Sequence, residues 1–335
     1  MFSNNIYFEM SEFMINLQKQ LKDEKDLADS TIKLYIKYYV MLNNKQLFNN
    51  LSFLKDIEKI DEILKTYKPN THKTILSSIV TLLSLFKDKP TYKKLYKTYY
   101  DKMMTMATDM KQNTNQNEKT ETQKDNWIKW EEVQETKQKL LHEVQSFLNN
   151  KIITSDQYNV LLSYLILSLY TGSIAPRRNQ DYLLVDFIAH YKDDMNTDKN
   201  YLDWANKEFI FNQYKTKSKY GQQKIKIDTT DGSEPLEAIK MYLKHHPLNN
   251  YKNLKFPKNQ TVQFKFLVYP DGKPLDAINA ITRILNKIFN KKIGSSMLRH
   301  IYLSNKYNID DMKNDSKQMA HGLNQQRDYI KTDTP

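Results

Sequence analysis

Apolar side chains recur at helical spacing through the first third of this 335-residue chain. Phe13, Leu17 and Leu21 stand one turn apart. Asp29-Ser30-Thr31 offers side-chain oxygens for a helix N-terminus, and Ile32, Leu34, Tyr35, Tyr38, Tyr39 and Leu42 follow it. Ile57, Ile60, Ile63 and Leu64 make a third amphipathic run that stops at Lys68-Pro69-Asn70. Asn70-Thr71 opens a fourth, with Ile75, Ile79, Leu82, Leu83 and Phe86 inward, which ends before Pro90. A fifth carries Tyr92, Leu95, Tyr96, Tyr99, Met103 and Met106. The pattern predicts an all-helical domain over residues 1–110 with lysines on its outer faces. Such helices can lie along a DNA major groove or sit as an ordinary solvated bundle.

The periodicity then stops. From Lys111 to Asp125 there is almost no apolar side chain, so the stretch cannot bury enough surface to offset the entropy of ordering it. Residues 111–126 are expected to be a flexible linker, and 127–335 a second domain. Trp127-Ile128-Lys129-Trp130 leads into a helix through Leu140, Val144 and Phe147. Tyr158 to Tyr170 is strongly apolar, which predicts a buried helix closed by Thr171-Gly172. Arg177-Arg178-Asn179-Gln180-Asp181 comes next, then an apolar segment from Leu183 to Ile188. Phe209-Ile210-Phe211 and Lys224-Ile225-Lys226-Ile227 read as two strands joined by a lysine-loaded tip, with Gly221 at the turn. Helical runs follow at Leu236 to Leu243 and Leu275 to Phe289. Adjacent His245 and His246 lack a partner at helical spacing and receive no metal role. The expected fold class is mainly α with a small antiparallel sheet.

Composition narrows the function. There is no cysteine, which excludes disulfide scaffolds, cysteine-ligated metal sites and cysteine nucleophiles. No apolar run approaches the roughly 20 residues that span a bilayer. The opening Met1-Phe2-Ser3-Asn4-Asn5 lacks the basic and apolar regions of a signal peptide. An intracellular protein with no membrane partner is therefore expected. A formal net charge of +12 favours a polyanionic partner, nucleic acid above all, although a lysine- and asparagine-rich coding bias also raises it. Arginine is scarce: the five are Arg177, Arg178, Arg283, Arg299 and Arg327. A guanidinium grips phosphate through a planar fork, whereas an ammonium offers a point charge. The few arginines are thus the positions at which such a fork would be used.

Taken in order, the second domain presents Arg178 with Asp181, the lysine hairpin, Ser296-Met297-Leu298-Arg299-His300, Ala320-His321-Gly322 and Tyr329. This order and spacing resembles the tyrosine recombinase (phage-integrase-like) family. Arg178 with Asp181 matches that family's Arg-x-x-Glu/Asp element and Leu298-Arg299-His300 its Leu-Arg-His box, while Ala320-His321-Gly322 resembles its Gly-His-Ser element. Tyr329 stands where the family's nucleophile belongs. The resemblance spans most of the chain and is weakest in the first domain, where architecture and Ser30-Thr31-x-x-x-Tyr35 carry it. No single box is specific; their conjunction in the right order is. The wording around the boxes is most similar to recombinases of large DNA viruses, virophages and related mobile elements.

The resemblance implies a helical core-binding domain ahead of a catalytic domain, and a site-specific recombinase or integrase acting on double-stranded DNA as a homo-oligomer, a tetramer. It implies transesterification without ATP, cofactor or metal. Tyr329 would form a 3′-phosphotyrosyl link, Arg178 and Arg299 would clamp the nonbridging oxygens, and His321 would bind the phosphate or help deprotonate the tyrosine. A hairpin lysine, Lys215 or else Lys217, would protonate the leaving 5′ oxygen, and Asp181 would orient the arginines. The family usually has His or Lys three residues before the second arginine. Here that residue is Ser296, which is no useful acid or base near neutral pH. His300 is expected to be structural. Type IB topoisomerase-like relaxation and a non-enzymatic DNA-binding protein derived from a recombinase are the alternative functions.

Overall fold

The computed structural model describes residues 10–113, 119–192, 194–257, 261–306, 309–322, 325 and 329. The chain divides into two compact units, Met1–Asn115 and Gln116–Pro335.

The first unit is helical. It contains α1 (Glu12–Asp23), α2 (Asp29–Leu42), α3 (Ile57–Lys65), α4 (Pro69–Ser84) and α5 (Pro90–Asn113). The inward positions are those the periodicity marks: Leu17 and Leu21, Ile32 and Tyr39, Ile60 and Leu64, Ile75 and Ile79 are all buried. Two tyrosines in this core satisfy their hydroxyls on main-chain carbonyls, Tyr39 on Ser78 across 2.7 Å and Tyr99 on Leu54 across 2.9 Å. A buried phenol needs such a partner. Leu34, read as inward, is instead 40% exposed.

The expected linker is largely helical where it is described. The last expected helix runs on to Asn113, and a further one, α6 (Glu121–Asn126), occupies the end of the stretch. Thr120 caps it reciprocally: its hydroxyl accepts from Gln123 N–H, and the Gln123 side chain accepts from Thr120 N–H. The physical reason is local. A capping box satisfies free N–H groups without any apolar face, so scarcity of apolar residues does not forbid a short helix.

The second unit is built around α8 (Ser155–Thr171), which is buried on nearly every side as its composition requires. α7 (Trp130–Phe147), α11 (Leu236–His245), α12 (Ala280–Phe289) and α13 (Ser295–Asn305) pack on α8. Gly172 ends it, but not through a left-handed conformation. Its backbone is extended, and a Cβ there would lie 2.7 Å from the Glu234 carbonyl oxygen. Close approach of another chain segment requires the glycine.

A five-stranded sheet completes the unit: β1 (Val185–Ile188), β2 (Asn200–Asp203), β3 (Glu208–Phe211), β4 (Gln223–Lys226) and β5 (Gln263–Lys265), in the order β4-β3-β2-β1-β5. β3 and β4 pair antiparallel, with Phe209 opposite Ile225. The sheet is mixed rather than wholly antiparallel, because β1 and β2 run parallel, Phe187 opposite Leu202. The chain reaches β2 through the long crossover 189–199, which returns it to the starting end; a tight turn could not. That crossover also places Tyr191 and Met195 over Ile188, Tyr201 and Ile210, so the second face of the sheet is covered. Strands buried on both faces lose the alternation by which β1 and β2 could be read. His246 is also part of this core, its Nε2–H donating to the Phe266 carbonyl and its Nδ1 accepting from Leu248 N–H.

No helix among the described residues is long and apolar enough to cross a membrane.

Candidate active site

Two short elements and the C-terminal segment bring the candidate residues together. α13 carries the Leu-Arg-His sequence in its first two turns. Met297, Leu298 and Ile301 face the main core, and this orientation also buries Arg299, which is 3% exposed. The Nε and Nη2 groups of Arg299 are buried without a hydrogen-bond partner among the described residues. Its guanidinium carbon lies 4.5 Å from the centre of the Tyr329 ring. Burial lowers the Arg299 pKa, Tyr329 opposes that shift, and Arg178 adds to it. A buried guanidinium that faces a second cation and has free donors is costly, and an anion arriving between them would relieve it.

Tyr329 is held by two histidines. His300 Nδ1–H donates to the Tyr329 carbonyl across 2.8 Å, and the ring centres are 4.7 Å apart. His321 lies on the ring as well, at 5.2 Å. Only 2% of His321 is exposed, and its Nε2 sits 3.2 Å from Met319 Sδ. Burial, followed by Arg299 and Arg178, pushes its pKa down to about 4. The imidazole is therefore neutral at pH 7 and, with two cations nearby, a weaker base than a free histidine.

The segment that presents His321 is the capped end of α14 (Ile309–Gln318). Ala320 adopts φ +56°, its N–H donates to Lys317 O across 3.2 Å, and His321 N–H donates to Ser316 O across 3.1 Å. This is a Schellman cap with alanine where glycine is usual. Four successive carbonyls at this helix end are taken by side chains. Gln223 Nε2 donates to Lys317 O across 2.5 Å, Arg177 Nη1 to Gln318 O, Arg178 Nη1 to Met319 O across 3.5 Å, and the Thr216 hydroxyl to Ala320 O.

The adjacent arginines before α9 (Asn179–Leu183) divide the work. Arg177 is fully buried. It pairs with Asp181 at 2.9 Å, donates to Gln223 Oε1 across 2.7 Å, and lies 3.9 Å from the Phe211 ring centre. Arg178 is partly exposed and faces Arg299 and His321 electrostatically. Asp181 thus bonds Arg177 directly and reaches Arg178 and Arg299 only through the field. Burial raises its pKa, and all three arginines oppose that shift.

Other candidates lie further out. Ser296 is exposed on the first turn of α13, one turn before Arg299 and His300, without a hydrogen bond among the described residues. Lys215 is exposed on the β3–β4 tip and Lys217 is half-buried. The tip is a single turn of helix, α10 (Lys217–Tyr220), rather than an open loop. That turn brings a different lysine to the histidine segment. Lys219 Nζ lies 4.0 Å from where a Cβ on Gly322 would stand. Strand alternation could not separate the three lysines. Arg177, Thr216 and Gln223 left no signal in the sequence beyond the doubled arginine.

Chemically, the cluster offers an oxyanion a set of free guanidinium donors, with a phenol and a neutral imidazole beside them. No protein-family model matches the chain, and no curated protein matches it. Among solved structures, the crystal structure of XerA recombinase is similar over 96% of this chain and 93% of that one, at 12% identity and a TM-score of 0.36. So remote a likeness adds nothing to the reading of the site, which stands on its own geometry.

Proposed function

We propose that the chain is a DNA strand transferase of the tyrosine recombinase type, a site-specific recombinase or integrase. The observation that carries this reading is the buried Arg299 with unpaired Nε and Nη2 donors packed against Tyr329. In the proposed reaction the Tyr329 hydroxyl attacks the phosphorus of a DNA phosphodiester. The P–O5′ bond breaks, a 3′-phosphotyrosyl bond forms, and the phenolic proton passes to His321, whose basicity rises when the bound phosphate offsets Arg299 and Arg178. Arg299 and Arg178 stabilise the charge that builds on the nonbridging oxygens. A hairpin lysine protonates the departing 5′ oxygen. Lys219 suits this role by its nearness to Gly322, with Lys215 and Lys217 on the same tip. The 5′-hydroxyl of a second strand then attacks the phosphotyrosine, and no external energy is needed because the bond is stored covalently. The net charge of +12 supports duplex DNA as the partner, and joining two duplexes calls for more than one protomer. Integration of a viral or other mobile genome is the setting the sequence resemblance implies.

The test is covalent trapping. The protein is incubated with a random-sequence pool of nicked duplexes, on which a released fragment cannot religate. A protein–DNA adduct absent in Tyr329→Phe is expected. An adduct that persists in Tyr329→Phe overturns the nucleophile assignment, and no adduct with any duplex overturns the enzymatic reading. Joining of two sites, as opposed to relaxation of supercoils, then separates recombinase from topoisomerase.

A further inference from the structure

The four carbonyls at the end of α14 have an unusual set of partners. A helix C-terminus leaves its last carbonyls without intrahelical donors, and solvent or a cap usually serves them. Here Lys317 and Ala320 are served by Gln223 and Thr216, both from the β3–β4 hairpin, and Gln318 by Arg177. Arg177 in turn donates to Gln223, pairs with Asp181 and stacks on Phe211 of β3. A further link runs from Ala175 N–H to the Gln318 side chain at 3.3 Å. Thus one fully buried guanidinium joins the turn that carries Arg178, the hairpin that carries the lysines, and the segment that carries His321.

We propose that Arg177, Gln223 and Thr216 form a positioning clamp that seats His321 against Tyr329 by holding the β3–β4 hairpin on the end of α14. The clamp residues touch neither Tyr329 nor its carbonyl, so they are positioning rather than catalytic residues. Of the three, only Arg177 is fully buried and charged, so its bonds are charge-assisted, whereas Thr216 and Gln223 act from half-buried positions. Backbone strain makes the clamp necessary. Ala320 holds a left-handed conformation that is unfavourable for a residue with a Cβ. The Thr216 hydroxyl on its carbonyl and the two cap bonds hold it there. The lysines that would meet the DNA backbone and the histidine that would meet the scissile phosphate are then fixed by the same contacts.

This inference rests on the recombinase reading, so its test needs an arm that does not. Thr216→Val and Gln223→Ala remove the hairpin's bonds from half-buried positions, and Arg177→Lys keeps the charge without the fork. On a duplex recovered from the trapping pool, each variant should form adduct about tenfold more slowly, with DNA affinity unchanged within about twofold. In the free protein, NMR titration of [13C]histidine-labelled chain should show the His321 midpoint moving up in each variant, because the segment opens to water. A merely structural loss would lower the melting temperature and leave that midpoint where it is. Unchanged adduct rates and an unmoved midpoint in both Thr216→Val and Gln223→Ala would overturn the clamp. If the unaltered protein forms no adduct at all, the recombinase reading fails, and the titration still decides whether the clamp exists.

Discussion

His300 Nδ1 and the main-chain carbonyl of Tyr329 are 2.8 Å apart, although 29 positions separate the two residues. The bond fixes the tyrosine's backbone rather than its hydroxyl. A histidine next to Arg299 therefore has a task that needs no proton transfer. Replacing His300 by Ala should slow single-turnover cleavage by roughly 10- to 100-fold, the cost of a misplaced reacting group. DNA affinity, measured by titration, should stay within about twofold. Full cleavage activity in His300→Ala would show that the bond positions nothing.

Tyr329 packs on Arg299, His300 and His321 of its own chain. Under the proposed function, Tyr329 therefore attacks a phosphate bound by its own protomer. Mixing Arg299→Ala protein with Tyr329→Phe protein should yield no adduct above that of the separate variants. Recovery of activity in the mixture would mean that one protomer delivers its tyrosine to another's arginine.

Two buried histidines set a pH limit. Burial pushes His246 and His321 down to about 4 from an ordinary 6.5. Such a group is neutral in the folded chain while the unfolded chain takes up a proton. Stability is therefore fully present above pH 6.5 and is lost as the pH falls from there toward 4. The loss for the pair should reach on the order of 3 kcal/mol after allowance for partial exposure of the titrating rings. Urea denaturation at pH 7.5, 6.0 and 5.0 checks this, before most carboxylates titrate. A flat profile over that range would contradict the assignment.

Gly172 has no room for a methyl group. A Cβ would lie 2.7 Å from the Glu234 carbonyl oxygen and 2.8 Å from that of Ser168, both main-chain atoms that cannot swing away. Gly172→Ala should destabilise the second unit by about 2–4 kcal/mol. Because Gly172 opens the turn leading to Arg177 and Arg178, adduct formation should fall with it. Calorimetry of the whole chain reads the first effect; a melting profile identical to that of the unaltered protein would refute it.

The helices of the first unit were legible because one face alone is buried. Leu17 and Leu21, or Ile75 and Ile79, recur with the helical period because the opposite side meets water. β1 and β2 were not legible, since strands covered on both faces carry no alternation. Capping boxes such as Thr120 with Gln123 are written in four residues, yet one hid in a stretch whose composition argued for disorder. In the site, Arg299, His300, His321 and Tyr329 could be singled out by order along the chain, and the structure brings them together around one ring.

By itself, the chain's order of residues determined the helical character of the first unit, the buried helix around which the second is built, and the order of the arginine, histidine and tyrosine that form the candidate site. Tertiary structure alone decided which neighbour does what. Arg177 and Arg178 are indistinguishable as letters, but one is buried against Phe211 and Asp181 and the other faces Arg299 and His321. Lys215, Lys217 and Lys219 share one tip, and only its single helical turn carries Lys219 toward Gly322. The physical reason is range. Periodicity and caps are properties of a few successive residues, whereas burial, pairing and electrostatic environment depend on segments that are distant in sequence and meet only on folding.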